Sequence, residues 1–562
     1  MEKIIFLLLI IVFSITSKSQ TLDWIKTVGG ICEDVGNSIA INEEGDVFTI
    51  GYFCETVDFD PNNNMTNLTS DGFFDIFIQK LDSEGNLIFV KSMGGISDQK
   101  GNSIAVDKSN NIYSTGVYTG TSNFDPNDGI SYLMGSENIY IQKLDESGNL
   151  IWAKGAGGLS HDTGMSITVD NVGNVYSTGF FSITAAFDFN DDTYNLTSSG
   201  SRDIFIQKLD SNGNLIWVRG MGGPNSDIGN SIAVDNLGNV YSTGYFSSIS
   251  DFDPNEENSN FLISNGSWDI FIQKLDSEGN LVWAKGIGGT SDDVGNSIAI
   301  DNYGNIYTTG RFSGAVDFDP NDGTYYLEGE GEDIFIQKLD LEGNLIWAKR
   351  VGGSNNDIGY SITTDDENNI YITGHFSGAV DFDPNDGTYY LEGEGEDIFI
   401  QKLDSEGNLI WAKRVGGTGT GDGLSIKVDE MKNIYITGYF SGTIDFDPDE
   451  NIFNSISAEG GPNDIFILKL TGELNVGLNY IQQSKVKLYP NPNSGQFNIE
   501  ISEEVENARF EVVNNLGKKV YKGFLNKTAS TINLPGLSSG IYHITIILDT
   551  GRKFYTKCIL VD

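Results

Sequence analysis

The sequence predicts an all-β fold, and three observations support this prediction. A unit of about 65 residues recurs along most of the chain. Each unit contains four runs of β-branched and aromatic residues separated by turn residues, and no run has a helical hydrophobic period. The units are marked by an aromatic residue ahead of a Gly-Gly pair, at Trp24, Phe89, Trp152, Trp217, Trp283, Trp347 and Trp411. A fixed period of this size indicates one supersecondary unit that stacks on copies of itself.

The fifth copy shows the predicted elements in order. Its four strands are Asn296–Asp301, Ile306–Phe312, Asp333–Leu339 and Leu345–Lys349. Tight turns join the first strand to the second at Asn302–Asn305 and the third to the fourth at Leu341–Asn344, because Asn and Gly accept positive φ. The longer loop Ser313–Glu332 joins the second strand to the third. The unit is therefore predicted to be a four-stranded antiparallel sheet.

Both faces of such a sheet are partly apolar, so neighbouring copies must cover them. Radial repetition does so and leaves only short edges. An open β-solenoid is the disfavoured alternative, because solenoid coils are usually shorter and need caps. Leu22–Lys26 is a fourth strand without a third, and Asp464–Leu470 is a third strand without a fourth. We therefore predict a seven-bladed β-propeller of four-stranded antiparallel blades, closed by the pairing of Leu22–Val28 with Asp464–Leu470.

The repeated sequence motifs resemble those of a known repeat family. They include Gly-Asn-Ser-Ile-Ala, Asp-Phe-Asp-Pro, Asp-Ile-Phe-Ile-Gln-Lys-Leu-Asp and Ile-Trp-Ala-Lys. In this pattern the chain resembles the seven-bladed β-propeller repeat (SBBP-type) family of secreted bacterial proteins. The resemblance implies a fold and does not imply one activity.

The segments that flank the repeats indicate export. Residues 1–19 have the features of a signal peptide, because Lys3 precedes the apolar run Ile4–Ile15. Residues 20–474 are the predicted propeller, 475–485 a linker, and 486–562 a small C-terminal β-sandwich with short strands separated by turn residues. The opening Val486–Pro492 and the later Gly540-Ile541-Tyr542 resemble the C-terminal sorting domain (Por type A) of the type IX secretion system of Bacteroidetes. That resemblance implies export via the periplasm, to the medium or the outer-membrane surface, with the type IX machinery as a partner.

The charge excludes some classes of partner. Residues 21–475 carry 22 basic and 71 acidic residues, a net charge of −49. Such a field attracts cations and repels nucleic acid and anionic membrane surfaces. After the signal peptide, no apolar run is long enough to cross a bilayer. We therefore expect no nucleic-acid partner and no transmembrane segment in the mature chain.

The three cysteines are Cys32, Cys54 and Cys558, too few for a disulfide scaffold or a metal knuckle. Cys32 and Cys54 flank one predicted hairpin and lie toward the same end of it, which leaves a disulfide open. The low cysteine count favours two free thiols instead.

The Asp-Phe-Asp-Pro loops are the candidate binding sites. They occur at Asp58–Pro61, Asp251–Pro254, Asp317–Pro320, Asp381–Pro384 and Asp445–Pro448, with variants at Asn123–Pro126 and Asp188–Asn190. Copies five and six place side-chain oxygens at offsets 1, 3, 5 and 12, which are Asp317, Asp319, Asn321 and Glu328, and Asp381, Asp383, Asn385 and Glu392. Oxygen ligands at such spacing suit Ca²⁺, so calcium is the candidate cofactor. The alternative is a turn in which Phe318 is buried and the carboxylates cap backbone amides.

Catalytic signals are few. His161, His375 and His543 fall in different copies or in the tail, which argues against a histidine-based metal centre or a Ser–His–Asp triad. The regular copies favour a non-catalytic binding scaffold, with no catalytic or cofactor-binding residue assigned. The alternative is a carbohydrate-active enzyme, a glycosidase or lyase that uses acidic loop residues, because paired carboxylates suffice for that chemistry.

The long connections of every copy predict one binding face. Functional residues concentrate on long loops held by a rigid scaffold. We expect Asp317, Asp319 and Asp357 to lie together on the face formed by these loops, where a glycan or protein ligand binds.

Overall fold

Every regular element that the structure describes is a β-strand, which confirms the predicted all-β fold. The computed structural model describes residues 20–62, 64–127, 129–188, 194–255, 258–321, 323–385, 387–449, 452–472, 486–489, 496–501, 508–514, 518–525, 529–534, 537, 540–548 and 553–560. It divides the chain into two units, Met1–Glu473 and Leu474–Asp562. The predicted signal peptide, 1–19, and the predicted linker, 475–485, lie outside the described residues.

In the first unit, each copy forms four antiparallel strands in the sheet order inner, second, third, outer. The inner strands are Val35–Ile41, Gln99–Val106, Thr163–Val169, Ile228–Val234, Val294–Ile300, Ile358–Thr364 and Thr420–Val428. The second strands are Val47–Phe53, Ile112–Asn123, Val175–Phe181, Val240–Phe246, Ile306–Asp317, Ile370–Asp381 and Ile434–Ser441. The third strands are Asp75–Leu81, Tyr132–Leu144, Asp203–Leu209, Asp269–Leu275, Tyr326–Leu339, Tyr390–Leu403 and Asp464–Leu470. The outer strands are Leu87–Gly95, Leu150–Ala156, Leu215–Met221, Leu281–Ile287, Leu345–Val351, Leu409–Gly417 and, for the seventh copy, Leu22–Val28.

The seventh sheet joins the two ends of the first unit. Leu22–Val28 pairs antiparallel with Asp464–Leu470, from Leu22 opposite Leu470 to Val28 opposite Ile465. The predicted closing pair is therefore confirmed. The physical reason is that each of these strands would otherwise leave a row of backbone donors and acceptors unpaired at a sheet edge.

A ring of serine hydroxyls joins the inner strands. In each copy the Oγ of one serine accepts a hydrogen bond from the backbone N–H of an isoleucine in the next copy. The bonds run from Ile104 to Ser38, Ile167 to Ser103, Ile232 to Ser166, Ile298 to Ser231, Ile362 to Ser297, Ile426 to Ser361 and Ile39 to Ser425. The last bond, 3.2 Å long, returns from the seventh copy to the first. We call these seven serines the serine ring; it connects the inner strands in a closed circle.

Consecutive sheets share their apolar cores. One cluster joins Tyr241 and Ile272 of the fourth copy to Ile298, Phe312 and Phe318 of the fifth, all buried. Burying one such aromatic side chain contributes about 1.5–3 kcal/mol. Because each cluster takes side chains from two copies, no single copy is a complete folding unit.

The recurring tryptophan connects an outer strand to the next copy. Trp217 Nε1 donates to the Ser277 carbonyl at 3.1 Å, and Lys208 Nζ donates to the same carbonyl at 3.2 Å. Trp152 and Lys143 converge on the Ser211 carbonyl in the same way. The marker residue of the repeat is therefore a packing residue.

Most of the tight turns are built by an Asp-x-x-Gly-Asn motif. Asp340 Oδ1 accepts the backbone N–H groups of Glu342 and Asn344 at 3.0 and 2.8 Å, and Asn344 Nδ2 donates to Asp340 Oδ2 at 2.9 Å. Gly343 has φ 78°, which only glycine adopts readily. Local chemistry alone thus fixes these turns.

The longer connection is more ordered than a loop. In the fifth copy the second strand extends to Asp317 and pairs with Tyr326, so most of Ser313–Glu332 forms a hairpin. Other copies form it from separate short strands: Thr56–Asp58 with Asn67–Thr69, Thr184–Ala186 with Asn195–Thr197, Ile249–Asp251 with Phe261–Ile263, and Thr443–Asp445 with Ser455–Ser457. In the third copy the buried ring is Phe187, so its Asp-Phe-Asp equivalent is Ala186-Phe187-Asp188, two residues earlier than predicted.

Cys32 and Cys54 form a disulfide, with Cα atoms 5.8 Å apart, so the prediction of free thiols is wrong. Cys32 precedes the inner strand of the first copy and Cys54 follows the second strand, and pairing of those strands brings both to one end. Copy four has Asn225 and Ser247 at these positions, joined by a hydrogen bond of 3.3 Å. The sequence already placed both cysteines at the same end of one predicted hairpin. That placement indicated the disulfide better than the low cysteine count indicated free thiols.

The second unit contains two antiparallel sheets that share one core. One sheet consists of Val486–Tyr489, Gln496–Ile501 and Ala529–Asn533. The other consists of Lys519–Leu525, Ala508–Asn514, Gly540–Leu548 and Lys553–Leu560. Phe497 and Ile499 of the first sheet pack in one buried cluster with Phe510, Val512 and Ile544 of the second. In the described residues of either unit, no helix is long and apolar enough to span a membrane.

Candidate functional site

The Asp-Phe-Asp-Pro segments are turns held by their own carboxylates. Asp317 Oδ1 accepts the N–H groups of Asp319 and Tyr325 at 3.1 and 2.7 Å, and Asp319 Oδ1 accepts that of Asn321 at 3.0 Å. Phe318 is fully buried between these contacts. Copy six repeats the geometry with Asp381, Asp383, Asn385 and the N–H of Tyr389. In copy two, Asn123 Oδ1 makes the same two contacts, so they require an oxygen acceptor and no charge.

The remaining predicted calcium ligands lie apart from these contacts. Asn321 Oδ1 accepts from Lys285 Nζ of the preceding copy, and Asn385 Oδ1 accepts from Lys349 Nζ, both at 2.6 Å. Glu328 and Glu392 lie on the returning strand of the hairpin and are exposed. Among the described residues, no three His, Cys, Asp or Glu side chains are grouped closely enough to hold a metal ion. Calcium binding stays a prediction. It would require Asn321 Oδ1 and Asn385 Oδ1 to lose their hydrogen bonds from lysine and to coordinate the metal instead.

The expected acidic face does not form as predicted. Asp357 is fully buried, and its two carboxylate oxygens accept the N–H groups of Gly353 and Ser377 at 2.8 and 3.0 Å. Asn385, at the tip of the hairpin, reaches instead to the carbonyl of Gly407 in a tight turn, at 3.2 Å. The hairpins therefore extend toward the tight-turn end of the sheets, because they pack between outer strands of adjacent copies.

A groove opens where the hairpins of copies six and seven lie side by side. It has a volume of about 550 Å³. We call it the rim groove; its principal lining residues are Tyr389, Tyr390, Glu392, Arg414, Asp445 and Phe453. Tyr390 is 64% exposed and Phe453 is 79% exposed. Exposed aromatic rings beside carboxylates give the groove both apolar contact area and hydrogen-bond acceptors.

Buried acidic side chains occupy the junctions between consecutive copies. Each junction combines the residue six positions before the end of a third strand with the residue at or beside the start of the next inner strand. Interacting pairs are Asp464 with Asp34, Asn138 with Asp162, Asp203 with Asp227, Asp269 with Asp293, and Asp333 with Asp357. The equivalent positions at the two other junctions are Asp75 with Gln99 and Asp397 with Gly421. These residues, apart from the glycine, cap loop amides from inside the molecule.

The junction of copies three and four shows the geometry. A side-chain carbon on Gly222 would lie 2.9 Å from both Asp203 Oδ1 and Asp227 Oδ2, so only glycine fits over the pair. Asp203 Oδ1 is buried and has no hydrogen-bond partner among the described residues. Burial and the nearby Asp227 raise the pKa of Asp203 to about 7, and burial raises the pKa of Asp227 to about 6. The first glycine of the Gly-Gly pair is thus needed because buried carboxyl groups lie directly against its backbone.

The junction of copies six and seven also departs from the repeat. In the seventh copy Gly421 replaces the junction aspartate, and Asp422 occupies a position that is Ile358 in the sixth copy. His375 Nδ1 lies 2.8 Å from Asp422 Oδ1, and Tyr439 Oη donates to Asp422 Oδ2 at 2.6 Å. Burial alone would lower the pKa of His375, but the hydrogen bond and charge of Asp422 outweigh it and raise that pKa. Sequence reasoning set His375 aside; comparing the copies position by position would have found this cluster.

Comparisons with known proteins agree with this fold. A family model described as a beta-propeller repeat matches residues 216–252, 282–311 and 346–375. A model described as a secretion system C-terminal sorting domain matches residues 487–561. The chain is an exported β-propeller repeat protein with a type IX sorting domain.

Individual relatives are distant. The exported propeller is 26% identical to an uncharacterized WD repeat-containing protein of Acanthamoeba polyphaga mimivirus, over 76% of this chain and 36% of the relative. It is 26% identical to the regulatory protein FlaEY of Caulobacter vibrioides, over 29% of this chain and 18% of the relative. The chain thus spans well under two thirds of either relative. Among solved structures, PorZ, a surface component of the type-IX secretion system of Porphyromonas gingivalis, matches with 10% identity and a TM-score of 0.26, over 96% of this chain and 100% of PorZ.

Proposed function

We propose that the exported propeller is a non-catalytic binding scaffold whose rim groove holds a glycan. The observation that carries the proposal is the groove itself, in which exposed Tyr390 and Phe453 flank the carboxylates of Glu392 and Asp445. Binding sites combine aromatic contact area with a few placed polar groups that fix orientation. The repeated carboxylates, Asp445 included, cap turns and junction amides, which supports a scaffold role for the ring.

The test is a glycan array probed with the mature protein, followed by calorimetry on any glycan that binds. Tyr390→Ala and Phe453→Ala should each weaken binding by at least tenfold, since each removes an exposed ring from the groove. Tyr303→Ala is the matched control, because Tyr303 is 78% exposed on a tight turn remote in sequence from the groove. Equal weakening by all three variants, or no glycan bound by the wild type, would overturn the proposal.

A carbohydrate-active enzyme is the second candidate, and one observation favours it. Glu392, Glu394, Asp445 and Asp447 all line the same groove, and glycosidases work with a pair of such carboxylates. Each glycan that binds should therefore also be incubated with the protein and assayed for new reducing ends. Cleavage that is lost in Glu392→Gln or Asp445→Asn would replace the scaffold proposal with the enzyme.

We also propose that the propeller first enters the periplasm and that the sorting domain then directs it across the outer membrane. A chain truncated after Glu473 keeps every strand of the ring, so it should fold and accumulate in the periplasm. Cell fractionation of the native host, with the full chain as control, measures this. Delivery of the truncated chain to the cell surface at the level of the full chain would contradict the route.

A further inference from the structure

We propose that the central channel of the propeller binds a small oxyanion, such as phosphate, sulfate or a carboxylate, through Lys427 and the serine ring. The site is separate from the rim groove and does not depend on the function proposed for it.

The channel contains a cavity of about 340 Å³ that residues of all seven inner strands line. All members of the serine ring contribute to its wall. Lys427 is the only charged residue among the described residues that line it. Residues 21–475 carry a net charge of −49, yet the described residues that line this cavity include one cation and no carboxylate.

Lys427 departs from the repeat. The equivalent positions are Ala40, Ala105, Thr168, Ala233, Ala299 and Thr363. Six copies thus have a small side chain at this position. A long cationic side chain is therefore not required for packing of the inner strands. Ser425 and Lys427 are two residues apart on one strand, so their side chains point to the same side of it.

Within the described part of the chain, the ammonium group of Lys427 has no carboxylate counter-ion. No carboxylate or carbonyl among the described residues accepts a hydrogen bond from Lys427 Nζ. Burial lowers the pKa of Lys427, with no opposing charge nearby. Lys427 is partly buried, and an unpaired cation drawn away from solvent is costly; a bound anion would offset that cost.

The serine ring supplies the other donors. Each of its hydroxyls accepts a backbone N–H, as described above, and finds no acceptor for its own proton among the described residues. A hydroxyl can accept and donate at once, so the proton remains available to a ligand. Hydroxyl donors around one ammonium, without a competing carboxylate, match the several acceptor oxygens of an oxyanion.

The test is calorimetry with sodium phosphate, sulfate and acetate, each at constant ionic strength with chloride as the reference anion. We expect saturable binding of at least one oxyanion, weakened at least tenfold in Lys427→Ala. That variant copies Ala299 and should fold normally, while Lys427→Arg should retain binding. Lys108→Ala, which removes an exposed lysine, is the control and should bind as the wild type does.

A second measurement applies to the wild type alone. The bound anion should slow acetylation of Lys427 by a water-soluble active ester, as followed by peptide mass spectrometry, and should leave acetylation of Lys108 unchanged. The phosphate and acetate arms show whether the site prefers a tetrahedral or a planar anion. Absence of binding heat with all three anions, or equal affinity in the wild type and Lys427→Ala, would overturn the proposal.

Discussion

Two junctions of the propeller build the same contact with different chemistry. Between copies three and four, Asp203 faces Asp227; between copies two and three, Asn138 faces Asp162. In both, the second residue caps two loop amides: Asp227 caps Gly223 and Ser247, and Asp162 caps Gly158 and Ser182. The difference is that Asn138 offers an N–H₂ group where Asp203 offers a carboxyl oxygen.

The comparison indicates which protonation state the acidic junction prefers. A side-chain carbon on Gly157 would lie 2.9 Å from Asn138 Nδ2 and 2.7 Å from Asp162 Oδ2, so the amide and the carboxylate face each other. Asp203 Oδ1, at the corresponding place, has no partner among the described residues. Two carboxylates in one buried site cannot both ionise without cost, so we expect a proton between Asp203 and Asp227. The asparagine of the neighbouring junction imitates that protonated carboxyl group.

Asn138→Asp should give the largest effect, because it converts the amide junction into an acidic one. The variant should lose about 2–4 kcal/mol of unfolding free energy at pH 8, since a tenfold difference in proton affinity between the folded and unfolded states corresponds to about 1.4 kcal/mol. Much of the loss should return at pH 5, where the new carboxyl is protonated. Urea denaturation at the two pH values measures it, with exposed Asn258→Asp as the control. A loss that is the same at both pH values would contradict the shared proton.

Removal of the disulfide should come next in size. The double variant Cys32→Asn, Cys54→Ser copies Asn225 and Ser247 of copy four, so it keeps a side-chain contact at this junction. We expect it to lose about 2–4 kcal/mol, because the disulfide closes a loop in the unfolded chain. Denaturant unfolding under non-reducing and reducing conditions measures the difference. In reductant, the unfolding free energy of the wild type should approach that of the variant. If reductant leaves this free energy unchanged, the disulfide does not contribute to stability.

Asp203→Asn should make the acidic junction resemble its neighbour. We expect the unfolding free energy to rise by about 1–3 kcal/mol at pH 8 and to stay unchanged at pH 5. The reason is that the amide supplies the hydrogen-bond donor that Asp203 loses when its carboxyl group is deprotonated. Thermal unfolding at both pH values is the measurement. A loss of stability at pH 8 would instead show that the junction needs the charge of Asp203, as a bound cation would require.

The wild type should show the broadest effect, a gradual loss of stability as pH rises to which each carboxyl group makes only a small contribution. Burial raises the pKa of Asp34 and of Asp293 to about 7, and of Asp464 to about 6, each from an unfolded value near 3.9. A raised pKa means that the folded state binds more protons, so this contribution is complete below about pH 4 and is lost as pH rises through about 7. Other carboxylates act in the opposite sense at low pH: side-chain and backbone hydrogen bonds outweigh burial and lower the pKa of Asp82, for example. Unfolding free energy should therefore fall between pH 6 and 8, and Asp203→Asn should flatten that slope; a rise over this range would contradict the interpretation.

Much of the architecture could be predicted from sequence because it is local and repeated. The Asp-x-x-Gly-Asn turns fix each hairpin through contacts within five residues, as Asp340 and Asn344 show. The orphan strands Leu22–Val28 and Asp464–Leu470 fix closure, because unpaired backbone groups at a sheet edge demand a partner. The candidate site could be predicted less well. The offsets of Asp317 and Asn321 suggested a metal loop, but Asn321 accepts from Lys285 of another copy, which spacing within one loop cannot reveal.

By itself, the sequence determined the repeat and the all-β fold, because turn chemistry and strand propensity act over short distances along the chain. It also determined the closing pair, because the two end strands each lack a partner in their own copy. Only the tertiary structure decided which side chains meet across copies. It brought Cys32 to Cys54, Asp203 to Asp227, His375 to Asp422 and Lys427 into the channel beside the serine ring. Three of these four meetings join different copies, where a residue's burial, charge and partners depend on the neighbouring sheet rather than on adjacent residues. The sequence of one copy therefore predicts its strands and turns, and the site chemistry exists only once the ring has closed.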